Sequence, residues 1–157
     1  MSTVDITNYR RVNDQISTGG QPTEGQLRAA AAEGFRTVIN LATLDPRYAL
    51  ADEAGLVQSL GMAYHHIPVE WEQPQASDFA AFEAVMALLP TSKTLIHCVA
   101  NFRVTAFYSL YAMKHLGWSE AQAAEFRAPI WVDSEYPIWE KFIGEMQANI
   151  KREIQTQ

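Results

Sequence analysis

Short β-branched or apolar runs alternate with helical stretches along this chain, and that alternation restricts the fold more than any other feature. The runs are "QISTGG", "FRTVINLAT", "MAYHHIPV" and "KTLIHC". Each is short enough to be a strand, and the branched ones suit a buried sheet. The intervening segments carry helix punctuation. Thr23 with Gln26 makes a capping box that opens an Ala-rich helix, which stops at Gly34, a residue suited to the left-handed conformation after a helix. A second helix is expected over about Leu50 to Leu60, ending at Gly61. Asp78 to Leu89 puts Phe79, Phe82, Val85, Met86 and Leu89 on one face. Arg103 to Leu116 reads as helix and is closed by Gly117; Ser119 with Gln122 opens another. Pro137 suits a first helical turn, with Ile138, Trp139, Phe142, Ile143, Met146 and Ile150 facing inward after it.

Strands and helices in this order imply right-handed crossovers. The expected fold is α/β, with a mostly parallel central sheet of about four or five strands flanked by helices on both faces. At 157 residues, without repeats, low-complexity tracts or a Gly/Ser/Pro linker, the chain reads as one domain over 1–157. Apolar residues at 48% against 19% charged place it among globular rather than disordered chains. A net charge of -6 argues against a nucleic-acid partner, which would demand clustered Lys and Arg. No apolar run approaches the roughly 20 residues that would span a bilayer. The start "MSTVDITNYRR" has no basic cap with an apolar stretch behind it, and one cysteine makes no internal disulfide. A cytoplasmic location is the expectation. Oligomeric state leaves no mark in the sequence.

In parallel sheets, ligands sit beyond the carboxyl ends of the strands. "HCVANFR", residues 97–103, falls at such an end and holds the only cysteine. A thiol placed after a strand and just before a helix meets orphan backbone N–H groups, whose field favours the thiolate and bound anions. Arg103 in the first helical turn adds a planar fork of donors that fits a tetrahedral oxyanion. Thiolate and phosphate would then be in contact, as in-line attack and a covalent phosphocysteine require. An isolated cysteine is as often an inert core residue. His97, Cys98 and Arg103 together across a strand–loop–helix junction favour the reactive reading.

The segments "ISTGGQPTEGQLRAAAAEGFRTVINL", "YHHIPV", "LIHCVANFR" and "YAMKHLGWS" resemble the protein-tyrosine and dual-specificity-like cysteine phosphatases. They are most similar to a bacterial branch related to the phosphatase-like domain of beta-lactamase-hydrolase-like proteins. The resemblance implies a phosphorylated substrate, no metal and no cofactor. It implies Cys98 as nucleophile, Arg103 as phosphate clamp, and a cradle of backbone amides from Val99, Ala100, Asn101, Phe102 and Arg103. His97 would order the loop through a backbone hydrogen bond. Asn101 stands where such loops often carry glycine, and asparagine tolerates the left-handed region better than most residues.

Two departures stand out. The usual signature has five residues between Cys and Arg, and here there are four. The residue after the arginine is usually Ser or Thr, which stabilises the departing thiolate; here it is Val104, with Thr105 a step later and turned about 100° around the helix. The proton donor is expected from "HIPVEWEQPQASDF": Glu70 first, Glu72 second, with Asp78 more suited to the first turn of its helix and Asp45 a weaker alternative. Gly19 and Gly20 permit close backbone approach, and Gln21 could point into the pocket. Trp71, Trp131 and Asp133 would shape a rim or belong to the core. His65, His66 and His115 lack metal-ligand spacing. Two rival functions remain. A six-residue loop from Cys98 to Arg103 is also the length that rhodanese-like sulfurtransferases use to hold a persulfide. A non-catalytic phosphate or phosphoprotein binder would keep the cradle without turnover.

Overall fold

The computed structural model describes residues 2–89, 91–132 and 135–155. Five strands, β1 (Arg10–Arg11), β2 (Ile16–Gly19), β3 (Thr37–Asn40), β4 (Ala63–His66) and β5 (Thr94–His97), form one sheet in the order β1-β2-β5-β3-β4. β1 pairs antiparallel with β2, and every other pairing is parallel. The expected α/β architecture is therefore present, and the fifth strand is the two-residue antiparallel edge. Its "RR" sequence carries neither β-branching nor alternation, so nothing local announces it.

Among the described residues there are six α-helices: α1 (Glu24–Ala32), α2 (Glu53–Ser59), α3 (Ala76–Ala87), α4 (Phe102–His115), α5 (Glu120–Trp131) and α6 (Pro137–Gln155). Thr23 and Ser119 close the expected capping boxes with Gln26 and Gln122. Gly34, Gly61 and Gly117 all have positive φ just after helices, where a side chain would be strained. α2 begins later than expected because the Asp52 carboxylate accepts from Gly55 N and caps it there.

Alternation along the strands divides the core in two. Val38 and Leu95 face a cluster with Leu27, Ala30, Phe35, Val57 and Met62, under α1 and α2. Ile39, Ile96 and Cys98 face the larger cluster with Phe79, Phe82, Phe107, Trp139 and Phe142, under α3, α4 and α6. Burying each of these large side chains contributes about 1.5–3 kcal/mol. α6 turns Trp139, Phe142, Ile143, Met146 and Ile150 inward, but Ile138 is 49% exposed, outside the stripe expected of it. Its position immediately before Trp139 rotates it off the packed face.

Parallel pairing puts β5 in the centre, between β2 and β3. Gly19, His97 and Asn40 are aligned across the carboxyl edge, and Asn40 is aligned with His66. Cys98 follows immediately beyond that row. Among the described residues no helix is long and apolar enough to cross a membrane.

Candidate active site

Cys98 leaves the central strand on the α4 side, 1% exposed, while the preceding His97 points to the opposite face. The loop from Cys98 to the start of α4 is held by its carbonyls. The Val99 carbonyl accepts from Gln21 N (2.8 Å), and the Ala100 carbonyl from Asn8 Nδ2 (2.9 Å). The Asn101 carbonyl accepts from Thr105 N (3.1 Å) and Thr105 Oγ1 (2.8 Å). Thr105 Oγ1 also donates to the Phe102 carbonyl (3.1 Å), and the Cys98 carbonyl lies 3.2 Å from His97 Nδ1. In a trans peptide the N–H points opposite the carbonyl. With the carbonyls engaged outside the loop, the amides of Val99, Ala100, Phe102 and Arg103 have no acceptor among the described residues. Such amides form a concavity for an anion.

Gly20 makes this packing possible. It bridges to Ala100, and a Cβ at Gly20 would stand 2.4 Å from the Val99 carbonyl oxygen. Asn101 adopts φ 70°, the left-handed turn expected of it. Its side-chain amide faces away from the thiol, donating to Asn8 O (2.8 Å) and Thr18 Oγ1 (3.0 Å).

Arg103 is 7% exposed and lines a cavity of about 280 Å³ with Cys98, Val99, Ala100, Phe102, Tyr48, Trp71 and Tyr136. Its Nη1 donates to the Val69 carbonyl (2.9 Å), and its guanidinium lies 5.8 Å from the Trp71 ring centroid. That anchors one corner of the fork and leaves its other donors for a ligand. Trp71 is itself fixed: Trp131 stacks on it, and Trp139 Nε1 donates to its carbonyl (2.7 Å). Trp71 forms part of the cavity wall, Trp131 supports it from behind, and Asp133 lies outside the described residues.

The other expected residues are distributed as follows. Glu70 and Glu72 are exposed on the turn closed by Gln73 N to Glu70 O, and neither lines the cavity. Asp78 accepts from Gln75 N (3.1 Å) and serves the start of α3. Asp45 pairs with Arg47, whose hydrogen bonds hold its carboxyl below the usual range. Thr105 Oγ1, besides its bonds to loop carbonyls, accepts from Trp131 Nε1 (3.0 Å). Gln21 contributes its backbone N–H to the loop, but its side chain donates to Glu53 Oε1 (2.7 Å) rather than entering the pocket.

Glu53 is the residue that sequence reasoning missed. Only 6% exposed at the first turn of α2, it meets His97 Nε2 at 2.5 Å. Burial pushes its carboxyl up, but the hydrogen bonds and charge of His97, the Gln21 bond and the charge of His66 outweigh that and hold it below the ordinary value. Glu53 also borders a larger cavity, about 540 Å³, beyond β3 and β4. Among the described residues no group of His, Cys, Asp and Glu is arranged to hold a metal ion.

The mostly parallel five-stranded sheet set between helices, with Cys98 just beyond its central strand, is the fold of the protein-tyrosine-phosphatase-like proteins. The structure of Tk-PTP in its active form has that fold and superposes with a TM-score of 0.75 at 17% identity, covering 90% of this chain and 97% of that one. A phosphatase-like DUF442 protein of Shewanella putrefaciens CN-32 is 33% identical, with a TM-score of 0.86 over 94% of this chain and 95% of that one. The chain belongs to this DUF442 family. The beta-lactamase hydrolase-like protein of Xylella fastidiosa (strain Temecula1) is 28% identical over 102 residues, which are 63% of this chain and 23% of that protein. This chain thus matches about a quarter of the length of those curated relatives. No family model matches the sequence.

Proposed function

We propose that the protein is a cysteine-dependent phosphomonoesterase. The observation that supports this reading is the outward capture of the loop carbonyls beside a cavity that Cys98 and Arg103 line together. In the proposed reaction Cys98 Sγ attacks phosphorus as the P–O bond to the leaving group breaks. Arg103 and the amides of the Val99–Arg103 loop carry the charge of the equatorial oxygens. Glu70, or Glu72 in its place, protonates the leaving oxygen. Glu70 is the first choice because it sits between Val69, which anchors Arg103, and Trp71, which walls the cavity. Water then attacks the phosphocysteine and gives its proton to the same carboxylate; phosphate and the Cys98 thiolate are released. His97 positions the loop, and Thr105 and Gln21 support it.

Hydrolysis of p-nitrophenyl phosphate by reduced protein tests the reading, with wild type beside Cys98→Ser. Turnover in the wild type that falls by at least about a thousandfold in the variant is the expected result. Equal rates would sink it. A second reading rests on the four residues between Cys98 and Arg103. In a sulfurtransferase, Cys98 thiolate would take the outer sulfur of thiosulfate as a persulfide, releasing sulfite, and pass it to cyanide as thiocyanate. Thiocyanate formation without p-nitrophenyl phosphate turnover would favour that reading.

A further inference from the structure

Glu53 and His97 stand 44 positions apart and meet beneath the catalytic loop, one from the start of α2 and one from the end of β5. The pair is closed in: His97 is fully buried and Glu53 nearly so. Both imidazole nitrogens face acceptors, Nε2 the Glu53 carboxylate at 2.5 Å and Nδ1 the Cys98 carbonyl at 3.2 Å. A neutral ring has one N–H and satisfies one of them; the imidazolium satisfies both. Besides His97, the Gln21 amide donates to Glu53 Oε1, and His66 and Tyr64, hydrogen-bonded to the Ala42 carbonyl and to Asn40 Nδ2, lie within reach of its charge. Among the described residues no lysine or arginine pairs with either member.

The Cys98 carbonyl shares its peptide plane with the Val99 N–H. Pinning that carbonyl toward His97 turns the Val99 N–H to the opposite side, where the cavity over Cys98 lies. A neutral His97 with its proton held on Nε2 would present a lone pair to the carbonyl oxygen. The peptide would then lose its restraint, and its amide could turn out of the cradle.

We propose that Glu53 is a positioning residue for the anion cradle: its carboxylate keeps a proton on both nitrogens of His97, and His97 in turn fixes the Cys98–Val99 peptide with its N–H toward the bound oxyanion. This rests on the cradle in the functional reading above, though not on turnover. The experiment therefore uses two readouts that need no catalysis. One is the ¹⁵N NMR signature of the His97 ring at neutral pH; the other is the affinity for tungstate, a tetrahedral oxyanion, by calorimetry.

In wild type both ring nitrogens should be protonated. In Glu53→Gln, which keeps an acceptor of similar shape and removes the charge, one proton should be lost and tungstate binding should weaken about tenfold. Glu53→Asp restores the charge and should recover the imidazolium signature and part of the affinity. A singly protonated ring in the wild type would overturn the proposal, and that measurement stands even if the variants fold poorly. Unchanged tungstate affinity in folded Glu53→Gln would overturn it too. Wild type that binds tungstate with a doubly protonated His97, yet hydrolyses no phosphomonoester, would remove the phosphatase reading and leave the role of Glu53 in place.

Discussion

Val104 is buried at the position from which related phosphatases direct a hydroxyl at the departing thiolate, and it has only methyl groups to offer there. Thr105 does not replace it. Its hydroxyl is committed to the carbonyls of Asn101 and Phe102 and to the indole of Trp131. In the proposed reaction, attack on the substrate uses the thiolate, the amides and Arg103. Hydrolysis of the phosphocysteine additionally needs the sulfur to leave, so its rate is expected to set turnover. Rapid mixing with p-nitrophenyl phosphate should therefore give a burst of nitrophenol close to one equivalent per active site. Val104→Ser should raise the steady rate about tenfold, the worth of one hydrogen bond to a charged group, and shrink the burst. A variant with unchanged kcat would count against this assignment of the slow step.

At the scale of elements, the site is a junction between the end of β2 and the start of α4. Gly20 approaches the Val99 carbonyl too closely for any side chain, so Gly20→Ala should displace the loop while the sheet and helices stay intact. The expected loss in kcat/KM is at least about tenfold, with the far-ultraviolet circular dichroism of wild type; full activity would show that the loop tolerates the shift. The same junction separates what was legible in the sequence from what was not. The Thr23–Gln26 and Ser119–Gln122 boxes are complete within four residues, so their helices could be read from the letters. The placement of Cys98 beyond a strand, of Arg103 in a first helical turn and of Asn101 in the left-handed region was legible for the same reason, since loop and helix start are contiguous. β1 could not be read, because two arginines become a strand only through pairing with Thr18 and Ser17. α3 starts at Ala76, behind a glutamine N-cap that few rules would nominate. Glu53 is one acidic residue among several, and only tertiary packing distinguishes it by bringing it to His97.

Across the whole molecule, the cavity over Cys98 draws its walls from four separate stretches, represented by Tyr48, Trp71, Phe102 and Tyr136. It exists only when the crossovers on both sides of β5 are in place. The Glu53–His97 contact joins the helices of one face to the strand that feeds the other, so its titration is felt as global stability. Glu53 is held below its unfolded value near 4.5. Its contribution is therefore full above that value and is lost as pH falls through the lower, folded value. Urea midpoints measured from neutral pH down to about pH 3 should fall steeply in wild type and less steeply in Glu53→Gln; parallel profiles would exclude Glu53 as a source of acid sensitivity. The burial of Cys98 has a kinetic consequence as well. A bulky disulfide reagent has a single target in this chain, and Cys98, 1% exposed at the floor of its cavity, offers it almost no surface until the walls part. Its labelling rate in the native protein is then the intrinsic rate multiplied by the fraction of time spent open, so the protein carries a built-in stopwatch for its own breathing.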